Sequence, residues 1–239
     1  MISISEFPYV DRSTPLSGLL AVDRGQAGLR PGIVVFHEAP GLGPHVRRRI
    51  SMLAELGYIA LAADAFGDGG KLLEGEAMSA RMTHFMETPG LMRGRVNAAL
   101  DALRGRSDVD GARLGAIGYC MGGSCVLELA RSGAEFAGAV CFHGMLGTAV
   151  PAQAGDVKAR ILVCAGAQDP LVPPEQVLAF EREMTAAGAD WQLITYGGAA
   201  HSFTNADRAP GVTPGFAHHP AADRRSWRAM RDFFGEVFA

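Results

Sequence analysis

Three residues, far apart in the chain but each placed in a glycine-rich or turn-forming loop after an apolar run, could together perform nucleophilic catalysis: Cys120, Asp169 and His201. Cys120 lies in LGAIGYCMGGS, residues 114–124. Leu114 to Ile117 reads as a buried strand, Gly118 to Gly122 as a sharp turn, and the apolar residues after Gly123 as a helix. A small residue two places before and two places after a nucleophile lets the backbone bend tightly and lifts the side chain out of the turn. Gly118 and Gly122 stand at those positions. A thiol becomes a strong nucleophile only as the thiolate, so a base must take its proton.

Candidates for that base and for its orienting group follow in order. The run Arg160 to Cys164 ends in AGAQDP, residues 165–170, which places Asp169 just past a strand. Trp191 to Tyr196 ends in GGAAHSF, residues 197–203, which does the same for His201. The chain order nucleophile, acid, histidine is that of a hydrolase triad, with Cys120 as nucleophile, His201 as general base and acid, and Asp169 holding the imidazole tautomer. The tetrahedral oxyanion of acyl transfer needs two donors. Met121 N–H at the start of the elbow helix is one, and Ala39 N–H in the loop after Ile33 to Phe36 is the candidate for the other. Asp64 and Asp68, in another loop after a strand, are the fallback acids.

These loops require a sheet to align them. Gly32 to Phe36 is a continuous β-branched and apolar run, as in a parallel strand buried on both faces. Val46 to Gly57 carries Val46, Ile50, Leu53 and Leu56 near helical spacing, with Arg47, Arg48 and Arg49 read as mostly on its surface. Tyr58 to Ala63 is a second apolar run, which completes a βαβ unit with a right-handed crossover. Further strands are expected at 137–142, 160–164 and 191–196, and helices at 91–103, 174–188 and 220–238. Residues 1–30 read as an antiparallel edge ribbon. Met78, Met82 and Met86 recur at i, i+4 and i+8 between Lys71 and Glu87: a helix packed on the body, or, with less support, an adaptable lining for a substrate mouth. Arg81 and His84 on that segment could meet a substrate anion. The expectation is one domain over residues 1–239, α/β in class, with a mostly parallel central sheet, helices on both faces and no large lid domain.

Composition narrows the partners. A net charge of −3 and a pI near 6.2 lack the basic surplus of nucleic-acid binders, so no nucleic acid is expected. The start MISISEFPYVDRST has neither a basic nor an apolar leader, and no run reaches the 18 residues of a membrane span, so the reading is a cytoplasmic protein with no membrane partner. Cys125, Cys141 and Cys164 lie in or next to apolar segments and read as small core residues. No metal-ligand spacing occurs, and no metal and no cofactor is expected. A monomer or small homo-oligomer is expected.

The motifs VVFHEAPGLGPHVRR (34–48), GYIALAADAFG (57–67), GAIGYCMGGS (115–124), GAQDPLVPPE (166–175) and YGGAAHSF (196–203) together resemble the dienelactone hydrolase family of α/β hydrolases, over most of the chain from about Pro31 onward. The resemblance implies the α/β-hydrolase fold, the triad Cys120, His201 and Asp169, and cleavage of a small ester or lactone through a cysteine acyl-enzyme. It also implies that Glu38 sits beside the thiol and helps take its proton when substrate arrives. By spacing alone, Glu38 could instead pair with one of Arg47 to Arg49. Family members that open dienelactones hold the substrate carboxylate with arginines, one of them a few residues after the triad histidine. Here Asn205 stands at that place, Arg208 lies further along, and Arg81 corresponds only loosely to the other. The substrate-binding candidates are therefore Arg81, Asn205 and Arg208, and a related ester, lactone or thioester is as open as an anionic dienelactone. The alternatives are a thioesterase or acyltransferase on the same machinery, or a ligand-binding or sensor protein that keeps the fold without catalysis. A thiol redox role lacks a Cys-x-x-Cys pair.

Overall fold

The computed structural model describes residues 1–239. Eight strands form one sheet: β1 (Ile2–Asp11), β2 (Thr14–Asp23), β3 (Arg30–Phe36), β4 (Ile59–Ala63), β5 (Val109–Tyr119), β6 (Gly138–Phe142), β7 (Arg160–Gly166) and β8 (Trp191–Tyr196), in the spatial order β1-β2-β4-β3-β5-β6-β7-β8. β1 and β2 form the antiparallel ribbon at one edge, and β2 meets β4 antiparallel through Leu19–Ala62, Leu20–Leu61 and Ala21–Ala60. The remaining pairs are parallel. The polar stretch before Leu114 belongs to β5, because Val109 and Asp110 pair with Arg30 and Pro31 before the register shifts at Gly32.

Six helices cover the sheet: α1 (Pro44–Glu55), α2 (Gly75–Met86), α3 (Pro89–Arg104), α4 (Met121–Arg131), α5 (Pro174–Ala186) and α6 (Pro220–Val237). Alternate strand residues face opposite ways, and β3 shows the result. Val34 and Phe36 join a core of 36 buried residues shared with α2, α3, α4 and α5, whereas Ile33 and Val35 join one of 23 shared with α1 and α6. Both faces are therefore covered, which explains why the parallel strands read as unbroken apolar runs. α1 starts with Pro44 at its first turn, where a missing N–H costs nothing. Its buried face is His45, Val46, Arg49, Ile50, Leu53 and Ala54, so Arg49 lies inside and not on the surface. Leu56 is at the exposed end.

The segment before α3 is less buried than its methionines suggest. α2 buries only Phe85 fully; Met82 and Met86 pack partly on the larger core, and Met78 lines a surface cavity. No helix is long and apolar enough to cross a membrane.

Candidate active site

All the candidate catalytic groups emerge at the C-terminal ends of parallel strands, around the point between β3 and β5 where the strand order reverses. In open α/β sheets this is where ligands bind. Glu38 and Ala39 follow β3, Cys120 follows β5, His143 follows β6, Asp169 follows β7 and His201 follows β8.

Cys120 is the residue before α4 and adopts φ 56° and ψ −122°, left-handed backbone that a side chain rarely takes. The strain is held by close backbone packing. A Cβ on Gly118 would collide with the Gly122 carbonyl, and one on Gly122 with the Phe36 carbonyl. The glycines are thus required because backbones touch there; neither is among the glycines of positive φ. The N–H groups of Gly123 and Ser124 bond back to the Cys120 carbonyl, and Met121 N–H is left as a first-turn donor of α4. Ala39 N–H makes none of the loop hydrogen bonds. Both donors proposed for an oxyanion are thus unspent, one on each side of the β3–β5 boundary.

Asp169 Oδ2 lies 2.8 Å from His201 Nδ1, both side chains being buried. Asp64, one of the two fallback acids, is committed elsewhere: its carboxylate accepts the N–H groups of Ser17, Gly67 and Gly69. The His201 backbone is pinned by hydrogen bonds to Gly215 and Ala217, and Phe216 packs edge-on against the ring with 4.7 Å between centroids. Nε2 of His201 is buried and has no hydrogen-bond partner. Burial would lower the pKa of this imidazole, but Asp169 and the neighbouring Cys120 raise it to about 10. Cys120 Sγ does not meet hydrogen-bond geometry with Nε2, which is left unpartnered. Burial pushes the thiols of Cys125, Cys141 and Cys164 well up, so those three are core residues and poor nucleophiles.

Glu38 is buried and accepts from Asn205 Nδ2 at 2.6 Å and, weakly, from Ser202 Oγ at 3.4 Å; His45 Nδ1 lies 3.3 Å from Oε2. Burial would raise its pKa, but His45, with His143 and Arg208, holds it at about 2. It pairs with none of the three arginines of α1. Arg47 bonds the Leu42 carbonyl, Arg48 bonds Asp207, and Arg49 bonds Asp223 and the Thr204 carbonyl. Nor does it hydrogen-bond Cys120. His37, on the same loop, bonds the Glu38 carbonyl through Nδ1 at 2.6 Å and accepts Ala65 N–H at Nε2, which fixes where the loop leaves β3.

Glu38, His45, Asn205 and Arg208 line a cavity of about 450 Å³ together with Leu72, Leu73, Glu74 and Met78. Cys120 and His201 do not line it. It adjoins the triad through Glu38 and the loop that carries both His201 and Asn205. Arg81 is exposed and outside this cavity. No group of histidine, cysteine and carboxylate side chains has the arrangement of a metal site.

The model described as the dienelactone hydrolase family matches residues 16–238 of the chain. The chain belongs to the dienelactone hydrolase family. It is by that membership an ester- or lactone-hydrolysing enzyme. Its structure superposes on one named m3DLH with a TM-score of 0.94 and 44% identity, covering 100% of this chain and 99% of the other. A dienelactone hydrolase-like promiscuous phosphotriesterase from metagenomic libraries gives 0.92 and 40%, covering 99% and 98%. A Salmonella typhimurium protein named "Putative carboxymethylenebutenolidase" is 28% identical over 228 residues, 87% of this chain and 78% of the relative.

Against this dienelactone hydrolase framework, His45, Arg49 and His143 are buried polar residues of the site beyond those expected from the sequence. His45 and Arg49 sit on the α1 stripe with Val46, Ile50 and Leu53, and a helical wheel would have placed both on the buried face. His143 is buried beside His201 with ring centroids 5.2 Å apart, in left-handed backbone of φ 41°. No spacing in the sequence signals its position.

Proposed function

We propose that the enzyme hydrolyses small, uncharged esters or lactones through an acyl-thioester on Cys120. The observation that carries this reading is the strained Cys120 elbow beside an imidazole whose far nitrogen is bound to Asp169 at 2.8 Å. Cys120 Sγ attacks the carbonyl carbon, and the thiol proton passes to His201 Nε2, whose cationic form Asp169 stabilises. Ala39 and Met121 N–H groups receive the oxyanion. Collapse expels the alcohol, which takes the proton from His201. Water then attacks the thioester with His201 as base, and the second collapse releases the acid and restores the thiol. Glu38 assists deprotonation of the thiol when substrate enters.

The charge of the cavity supports a neutral substrate. Arg208 is the one Lys or Arg in its lining, against the carboxylates of Glu38, Glu74 and Asp207, the last of which is paired with Arg48. Asn205 spends its amide on Glu38, so neither Asn205 nor the exposed Arg81 supplies a clamp for a substrate carboxylate. The promiscuous phosphotriesterase among its relatives makes a neutral aryl phosphotriester a sensible second probe beside aryl acetates and lactones.

Cys120→Ala should lower aryl-ester hydrolysis by a factor of about 10³ or more. Rapid quenching of the wild-type protein should give an acyl adduct on Cys120 by mass spectrometry. Full activity in the variant, or acylation elsewhere, would sink the mechanism.

A further inference from the structure

Three buried polar side chains, His143, Thr204 and His45, connect the backbone of the nucleophile to Glu38. Cys120 N–H, which also bonds the Phe142 carbonyl, donates to His143 Nδ1 at 3.1 Å. His143 Nε2 lies 2.8 Å from Thr204 Oγ1, Thr204 Oγ1 lies 3.4 Å from His45 Nε2, and His45 Nδ1 lies 3.3 Å from Glu38 Oε2, an ion-pair contact in which Nδ1 makes no hydrogen bond. Hydrogen-bond polarity settles where each proton sits. A backbone N–H can only donate, so His143 Nδ1 carries no proton and its Nε2 does. The Thr204 hydroxyl then accepts from His143 and donates onward. Arg49 Nε supplies the second fixed donor, reaching His45 Nε2 at 3.3 Å. A guanidinium can only donate, so His45 Nε2 is bare and its proton is on Nδ1, facing the carboxylate.

From this polarity we infer that His45 is a positioning residue for Glu38, locked by Arg49 and by the Cys120–His143–Thr204 chain in the Nδ1–H tautomer, so that it holds the carboxylate in the cavity wall and away from the thiol. The inference rests on the reading of Glu38 as the group that serves Cys120. No proton needs to move along the chain; its work is to set orientation. It also links the two ends, because a shift of the elbow is felt at His143 and one of the carboxylate at His45. The charged or titratable groups facing His45 are Glu38 on its loop, Arg49 on α1, Tyr119 at the end of β5 with its ring edge-on at 4.7 Å, His143 after β6, and Asp207 and Arg208 from the loop after β8.

The test has a spectroscopic and a kinetic part. In the 15N-histidine long-range correlation spectrum of the whole protein, His45 should appear as the Nδ1–H tautomer and His143 as Nε2–H; an Nε2–H form of His45 overturns the inference. His45→Asn keeps an amide donor where Nδ1 stands, while His45→Gln moves it to where Nε2 stands. The acid limb of the kcat/KM profile for a neutral aryl ester should move up by about one pH unit or more in His45→Gln, towards the ordinary glutamate range, and His45→Asn should keep the wild-type limb. A lower thermal midpoint in His45→Gln with an unmoved profile would mean a structural role only and would overturn the inference. Glu38→Gln separates the two levels. If it leaves activity and profile unchanged, the role given to Glu38 fails whatever the His45 tautomer; if it changes them and His45→Gln does not, His45 alone fails.

Discussion

Asp169 binds His201 with one oxygen and accepts the Leu171 N–H with the other at 2.9 Å, so the carboxylate cannot rotate without losing a bond. In the neutral ring it also dictates where the proton sits: Nδ1 donates to Asp169, so under the proposed mechanism Nε2 is the atom that takes the thiol proton, and Asp169 with the Cys120 thiolate then holds the imidazolium. Asp169→Asn would keep the volume and reverse this polarity, because an amide N–H offered to Nδ1 drives the proton to Nε2. Activity on aryl esters should fall by a factor on the order of 10³–10⁴, with the thermal midpoint little changed. A loss of less than tenfold at pH 7 would show that Asp169 does not set the tautomer. His45 and His201 thus obey one rule: the partner at one nitrogen decides what the other can do.

At the scale of elements, the junction of β5 with α4 does most to position the thiol. Gly122→Ala would place a methyl against the carbonyls of Phe36 and His37, the latter at 2.8 Å, and neither is the yielding end of a flexible side chain. Denaturant unfolding should show a loss of roughly 3 kcal/mol or more, since backbone must move at a strained site. Gly235→Ala in α6, where a new Cβ meets nothing within 4 Å, is the control and should gain about 0.5–1 kcal/mol. An equal effect of the two would refute the packing argument.

This junction also shows what a sequence makes legible. The strands were readable because both faces of a parallel sheet are buried, and the elbow because its glycines sit at a fixed spacing from the cysteine. Cys120, Asp169 and His201 were readable because each follows such a strand. The partners of Glu38 were not: Asn205 is 167 positions away, and its replacement of an expected arginine was visible while its bond to Glu38 was not. Arg49 looked like surface charge because its counter-ion, Asp223, is 174 positions further on. Charge alone says nothing of where a partner will come from. The methionines of α2 misled mildly, since a stripe at helical spacing does not tell a packed face from a half-covered one.

For the molecule as a whole, Glu38 and His201 act on stability at opposite ends of the pH scale. Glu38 has a folded pKa of about 2, below its usual value of 4.5, so the stability it contributes is complete above about 4.5 and is lost as pH falls towards 2. His201 has a folded pKa of about 10, above its usual 6.5, so its contribution is complete below about 6.5 and is lost as pH rises through 10. Urea unfolding between pH 2 and 5 should therefore show a shallower dependence in Glu38→Gln than in the wild type. Between pH 6.5 and 10, Asp169→Asn should lose stability at lower pH than the wild type. Parallel curves in both windows would contradict the assigned shifts.

The bond from Asn205 to Glu38 has one more consequence, which belongs to the time course of folding. It closes a loop of 167 positions, and the triad itself spans Cys120 to His201, so the site is completed by contacts distant in sequence as well as by nearer ones such as Asp169–His201. Such contacts repay their closure entropy only after the intervening chain has been ordered. A nascent or refolding chain that has paired its strands as far as β7 already has the Cys120 elbow but neither His201 nor the amide that restrains Glu38. The thiol precedes its partners, and the last strand and the loop behind it turn a shaped sheet into an enzyme.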